Sequence, residues 1–123
     1  MPTLLACLSI GKGTWSEVNT LLRAQPWTKV FLIASQFAVE NFTPNQPNVE
    51  IIPVNEIKDI PELVEDIKQQ LQGKISDFEI ALNLVSGSGR EHMALLEAVM
   101  QLGLNFRLVT VQNGQLEVLG LKR

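Results

Sequence analysis

Short apolar runs alternate with helical patterns along this chain, and this alternation constrains its fold more than any other feature. Nearly continuous apolar runs at residues 3–9, 29–34, 78–85 and 106–111 predict strands. A strand exposed on one face alternates apolar and polar residues, whereas these runs do not. They therefore favour a mainly parallel sheet that is covered by helices on both faces.

Helical spacing fills the gaps between the apolar runs. Leu63, Ile67 and Leu71 recur every four residues in a segment that opens near Asp59 and stops at Gly73. The same reasoning predicts further helices at residues 14–25, 35–42 and 89–102. Each long helix thus connects two strands, as parallel pairing requires.

Two local signals define the borders of the predicted sheet. The strand at residues 49–54 contains Pro53, which cannot donate to a strand ladder, so we expect this strand near an edge. Asn113-Gly114 is a tight-turn signal, and we expect residues 115–119 to fold back as an antiparallel strand. No Pro/Gly/Ser-rich linker divides the sequence. The prediction is one α/β domain over residues 1–123, a Rossmann-like three-layer sandwich whose mainly parallel sheet ends in an antiparallel C-terminal hairpin strand.

Composition excludes several functional classes. A net charge of −3 argues against nonspecific electrostatic binding to duplex nucleic acid. Cys7 is the only cysteine and His92 the only histidine, so neither a disulfide framework nor a zinc site is expected. The sequence predicts no metal, no cofactor and no membrane span. The first apolar run lacks a positive start and is interpreted as a strand, so a cytoplasmic location is expected.

Two glycine-containing loops follow the first and fourth predicted strands. They are Gly11-Lys12-Gly13-Thr14 and Ser86-Gly87-Ser88-Gly89-Arg90. In an open α/β sheet, ligands bind beyond the carboxyl ends of the strands, and both loops lie at that rim. Each loop also precedes a helix start, where free amides favour an anion, and Lys12 and Arg90 add positive charge. The two loops predict a site for a small anionic ligand.

The loops do not match the familiar phosphate motifs. A Walker loop would need a glycine where Ala6 stands, and a dinucleotide fingerprint would need one at Ser16 or His92. Each loop does contain the pattern of a capping box, Thr14 with Glu17 in the first and Ser88 with Glu91 in the second. The loops can therefore also be read as plain strand-to-helix turns.

The individual candidates have structural alternatives as well. Lys12 and Arg90 can be solvated surface charges, and His92 can be a surface or partly packed residue. Trp15 is interpreted as packing, with stacking on a base as the alternative. Cys7 is interpreted as a small buried hydrophobe.

The segment LNLVSGSGREHMALLEAVMQLG resembles the fourth-strand motif of CARF domains, the CRISPR-associated Rossmann fold. In that family a buried strand runs into a glycine-rich turn, often Gly-Gly-Thr-Lys, and then into a helix rich in Ala, Leu and Met. Gly87-Ser88-Gly89-Arg90 stands at the place of that turn. The segment LSIGKGTWSEV resembles the other ligand loop of the family, and a standalone form without an appended effector domain is expected.

The resemblance implies a homodimer that binds a cyclic oligoadenylate second messenger of type III CRISPR signalling. The ligand-binding candidates are Ser9, Gly11, Lys12, Gly13, Thr14, Ser86, Gly87, Ser88, Gly89 and Arg90. Some CARF proteins are metal-independent ring nucleases, and in that alternative Lys12, Arg90 and His92 are the catalytic candidates. A third alternative is a structural or regulatory subunit without a small ligand, associating through an apolar surface such as the helix that carries Met93 and Met100.

Overall fold

The fold is described from a computed structural model that covers residues 2–9 and 12–120, with the backbone alone at Lys12. The strands are β1 (Thr3–Leu8), β2 (Lys29–Ala34), β3 (Val49–Pro53), β4 (Glu79–Asn83), β5 (Asn105–Gln112) and β6 (Gln115–Val118). The helices are α1 (Trp15–Arg23), α2 (Gln36–Asn41), α3 (Ile60–Leu71) and α4 (Gly89–Gln101), and a short 3-10 turn at Lys12–Thr14 precedes α1. Strands and helices follow one another in the predicted order.

The six strands form one sheet in the order β3-β2-β1-β4-β5-β6. The first five are parallel, and β6 pairs with β5 antiparallel through the turn at Asn113-Gly114. This confirms the Rossmann-like α/β class and the antiparallel C-terminal hairpin. It also confirms the edge position of β3, where Pro53 costs no ladder bond.

The central strand β1 shows why the apolar runs are continuous. Leu5 and Cys7 point into a core cluster that contains residues of α3 and α4, whereas Leu4, Ala6 and Leu8 point into a second cluster with residues of α1 and α2. All five residues are fully buried. Because both faces of β1 are covered, neither can be polar, and the sheet is the middle layer of three.

The strand β5 departs from the prediction of a sheet buried on both faces throughout. Only Val109 is buried in β5, and Leu108 is exposed. β5 lies between β4 and the hairpin strand β6, to one side of the central strands β1 and β4. The apolar run at residues 106–111 therefore predicted a strand correctly, but β5 is less buried than the run suggested.

Local capping chemistry fixes where the two longer helices begin. At α3 the Asp59 side chain accepts a hydrogen bond from the Glu62 amide, with proline in the first turn. At α4, Ser88 and Glu91 form the predicted capping box. The predicted box of Thr14 with Glu17 is wrong, because the 3-10 turn leaves Thr14 in helical geometry and its side chain makes no cap hydrogen bond. Of the helices in the described ranges, none is long and apolar enough to cross a membrane.

Candidate functional site

The two glycine loops lie side by side because β1 and β4 are neighbours in the sheet. The chain continues from β1 toward β2 on one side and from β4 toward β5 on the other, so strand order reverses between them. The backbone amide of Ser9 donates to Ser86 Oγ across this boundary, at 3.2 Å. Both residues are buried. The fold thus joins two loops that are 77 residues apart in sequence.

A cleft of about 360 Å³ opens at this boundary. It is lined by Ser9, Thr14, Glu56, Val85, Gly87, Ser88 and Glu91. Four of these residues were ligand-binding candidates from the sequence, two from each loop. The cleft therefore lies where the topology of an open α/β sheet places ligands.

The start of α4 borders the cleft through its cap residues Ser88 and Glu91. Ser88 N donates to Glu91 Oε1 at 2.7 Å, and Glu91 N donates to Ser88 Oγ at 3.3 Å. The amides of Gly89 and Arg90 have no acceptor among the described residues, as expected at the first two positions of a helix. Two donors and the positive end of the α4 dipole are consequently left for an anionic group.

Gly87 is the position in this turn that requires glycine. Its φ is +103°, and a Cβ built there would lie 3.2 Å from Cys7 Cβ and 3.2 Å from His92 Nε2. Gly89 and Gly13 have no such requirement, since no atom lies within 4 Å of a Cβ at either position. Gly87 brings the backbone down onto β1 and so forms the floor of the cleft.

His92 secures the same turn from the first part of α4. Its Nε2 lies 2.8 Å from the Ser86 carbonyl oxygen. A carbonyl can only accept, so Nε2 carries a proton and donates. In the neutral side chain, Nδ1 is then the nitrogen without a proton. The predicted acid or base is thus a half-buried residue that ties α4 to the turn preceding it.

Arg90 connects α4 with the loop between β3 and α3. Its Nη1 donates to the Glu56 carbonyl at 2.6 Å, and its Nη2 donates to the Lys58 carbonyl at 2.5 Å. The guanidinium group therefore fixes this loop beside the cleft. The side chain is exposed, but two of its donors are committed to the protein.

The first loop is held by Trp15. Its Nε1 donates to the Ser9 carbonyl at 2.8 Å, and its ring packs against Phe37 and Phe42 at centroid distances of 5.9 and 5.7 Å. This buried position confirms the packing interpretation of Trp15. Of the remaining candidates in this loop, Gly11 and the side chain of Lys12 lie outside the described residues.

Two glutamates of the cleft were not predicted as site residues. Glu56 Oε2 and Glu91 Oε2 are buried, and neither has a hydrogen-bond partner among the described residues. Sequence offered no signal for Glu56, and Glu91 was assigned only to the cap. Beneath them, burial raises the pKa of the Cys7 thiol far above its ordinary range, and the charge of Glu91 raises it further. Cys7 is therefore an unreactive part of the core, as predicted.

The described residues contain no cluster of three or more metal-binding side chains. Neither a protein-family model nor a curated protein matches this sequence.

Proposed function

We propose that this chain is a CARF-like homodimeric domain that binds a cyclic oligoadenylate second messenger of type III CRISPR signalling and so senses or sequesters it. The observation that carries the proposal is the junction of the two glycine loops, where Ser9 N meets Ser86 Oγ at the reversal of strand order. These are the two segments that resemble the ligand loops of that family. A ligand that touches both loops must enter the cleft between them.

The start of α4, which borders the cleft through Ser88, suits a phosphate. The amides of Gly89 and Arg90 have no acceptor within the described ranges, and the α4 dipole favours negative charge there. Ser88 and Thr14 add hydroxyl groups to the lining. A protein with a net charge of −3 can hold an anion here because the attraction is local.

The size of the cleft supports a dimer. Its volume of about 360 Å³ lies at the low end for small-molecule sites, which gives room for one nucleotide unit. A ring of several nucleotides must then extend over a second cleft. On α4, Met93 and Met100 are each 58% exposed, and Met93 follows Glu91 of the cleft by two residues. This apolar surface is our candidate for the contact between the two copies.

Binding is favoured over cleavage by the positions of Arg90 and His92, two of the three catalytic candidates. Cleavage without a metal needs a cation free to stabilise the developing charge and a group free to move a proton. Two nitrogens of the Arg90 guanidinium are committed to backbone carbonyls, and His92 Nε2 is committed to Ser86. We therefore expect the ring to be bound intact, and chromatography after incubation with the protein measures this directly.

A pair of variants at Gly89 tests the proposed site. Gly89 is the first residue of α4, a position that accepts proline without breaking a helix. Ser88 before it has extended backbone (φ −94°, ψ 167°), as the residue before a proline prefers. Gly89→Pro therefore removes one free amide and leaves the helix in place. Gly89→Ala retains the amide and is the matched control, because a Cβ there meets nothing within 4 Å.

Calorimetric titration with cyclic tetraadenylate and cyclic hexaadenylate provides the readout. We expect G89P to weaken binding by at least roughly tenfold, since a hydrogen bond to a charged group contributes about 1.5–3 kcal/mol. G89A should bind like the wild type. Equal affinities for the wild type and G89P would place the phosphate elsewhere and contradict the proposed site.

A further inference from the structure

The cleft contains a pair of buried carboxylate oxygens that the protein itself does not satisfy. Glu56 Oε2 and Glu91 Oε2 are the two buried side-chain oxygens without a partner in the described part of the chain, and both residues line the same cleft. Glu91 is only 3% exposed. Its other oxygen, Oε1, is held at 2.7 Å by the Ser88 amide, so the orientation of the carboxylate is fixed.

Such oxygens indicate what a ligand must offer. A buried acceptor without a donor is unfavourable, and a carboxylate more so than a neutral group. A ligand that brings N–H donors into this part of the cleft removes that cost. A phosphate cannot do so, because it offers only further negative charge. The carboxylates and the free amides of α4 therefore suit different groups of one ligand.

Both glutamates line the cleft, although the two oxygens themselves are buried. Glu91 lies at the third position of α4, beside the amides of Gly89 and Arg90 at the first and second. Glu56 lies in the loop fixed by Arg90, and its side chain is half-buried. A nucleotide provides a group for each, since its base carries N–H donors for the carboxylates and its phosphate carries negative charge for the amides.

We infer that Glu91, together with Glu56, accepts a hydrogen bond from an exocyclic amino group of the bound base. The two glutamates would thereby determine which base the site prefers. The inference rests on the proposed function and goes beyond it by naming the recognition group. It predicts a preference for a base with an amino group, such as adenine, over the related base hypoxanthine, which has a carbonyl oxygen there. That carbonyl would face a carboxylate, and the single N1–H of hypoxanthine lies at a different place on the ring from the two amino hydrogens of adenine.

Glu91→Gln is the informative variant. A glutamine at the third helical position can still complete a capping box, so the cap of α4 is retained. The side-chain oxygen can accept from Ser88 N, while an amide NH₂ group replaces Oε2. The variant therefore offers a donor to the carbonyl of hypoxanthine. Glu62→Gln is the matched control, because Glu62 is the third residue of α3 and follows the Asp59 cap as Glu91 follows Ser88. Glu62 is exposed and does not line the cleft.

The experiment compares the affinities of cyclic tetraadenylate and cyclic hexaadenylate with those of their inosine counterparts. We expect the full-length wild-type chain to prefer the adenine ring by at least roughly tenfold, as for a hydrogen bond to a charged group. E91Q should reduce this ratio to about one, and E62Q should leave it unchanged. Glu56→Gln, a loop substitution outside the helix cap, should reduce the ratio in the same direction and serves as the second variant if E91Q does not fold.

The outcomes separate the inference from the proposed function. Equal binding of the adenine and inosine rings by the wild type would overturn the inference while the proposed function stands. A ratio unchanged in both folded E91Q and E56Q would overturn it as well. If the wild type binds no ring of either kind, the proposed function fails and the inference falls with it.

Discussion

Replacing Gly87 with alanine tests whether the floor of the cleft is built as described. The backbone at Gly87 has a φ of +103°, in a region that residues with a Cβ rarely adopt. The new methyl group would also lie 3.2 Å from Cys7 Cβ and 3.2 Å from His92 Nε2. Cys7 belongs to the buried central strand and His92 is tied to the Ser86 carbonyl, so neither neighbour can retreat without breaking other contacts.

The expected cost combines two effects. The positive φ costs a residue with a Cβ roughly 1–2 kcal/mol. Crowding a packed interior costs about 1–3 kcal/mol, and contacts at 3.2 Å place this case near the lower end. We therefore expect the free energy of unfolding to fall by about 2–4 kcal/mol, a large share of the roughly 5–15 kcal/mol that stabilises a typical domain.

Urea denaturation measures this cost. For a slope of about 2 kcal/mol per molar urea, a loss of about 3 kcal/mol lowers the midpoint by roughly 1.5 M. Gly89→Ala is the control two residues away, with no positive φ and no atom within 4 Å of the new Cβ. It should leave the midpoint unchanged or raise it slightly, because alanine reduces the entropy of the unfolded chain. If G87A unfolds at the wild-type midpoint, the described turn and its contact with β1 are wrong.

Two further predictions follow from the titratable groups. Since burial and the nearby Glu91 charge raise the pKa of Cys7, iodoacetamide at about pH 8 should label the chain only when it is unfolded by guanidinium, and rapid labelling of the native protein would contradict the buried position. The hydrogen bond from Lys74 lowers the pKa of Glu50 below its ordinary value of 4.5. A carboxyl group with a lowered pKa stabilises the fold above its unfolded-state pKa and loses this effect as the pH falls through the folded-state pKa. Wild type should therefore resist urea better than Glu50→Gln at neutral pH, with the two midpoints converging below about pH 4; a constant difference down to about pH 2 would refute this.

The layout of the fold could be predicted from sequence because its signals are local. Continuous apolar runs marked the buried strands, and Pro53 marked the edge strand. The Ser88–Glu91 box depended on residues three apart and was confirmed with both hydrogen bonds. The Thr14–Glu17 box carried the same pattern but failed, because a 3-10 turn precedes α1 and changes the backbone at Thr14.

The site was less predictable because its contacts are distant in sequence. Arg90 donates to two carbonyls 32 and 34 residues earlier, and carbonyl acceptors have no side-chain signature. Glu56 enters the cleft only because that loop is held there. Sequence could indicate that both glycine loops face one rim, but the adjacency of β1 and β4 had to come from the structure.

The most direct test of the central claim is calorimetric titration of the full-length wild-type chain with cyclic tetraadenylate and cyclic hexaadenylate. We predict saturable binding of at least one ring, with one ring for two chains. At a hundredfold excess over the dissociation constant, that ring should stabilise the fold by about 2.7 kcal/mol in a parallel unfolding experiment. No heat and no stabilisation with either ring would contradict the proposed function.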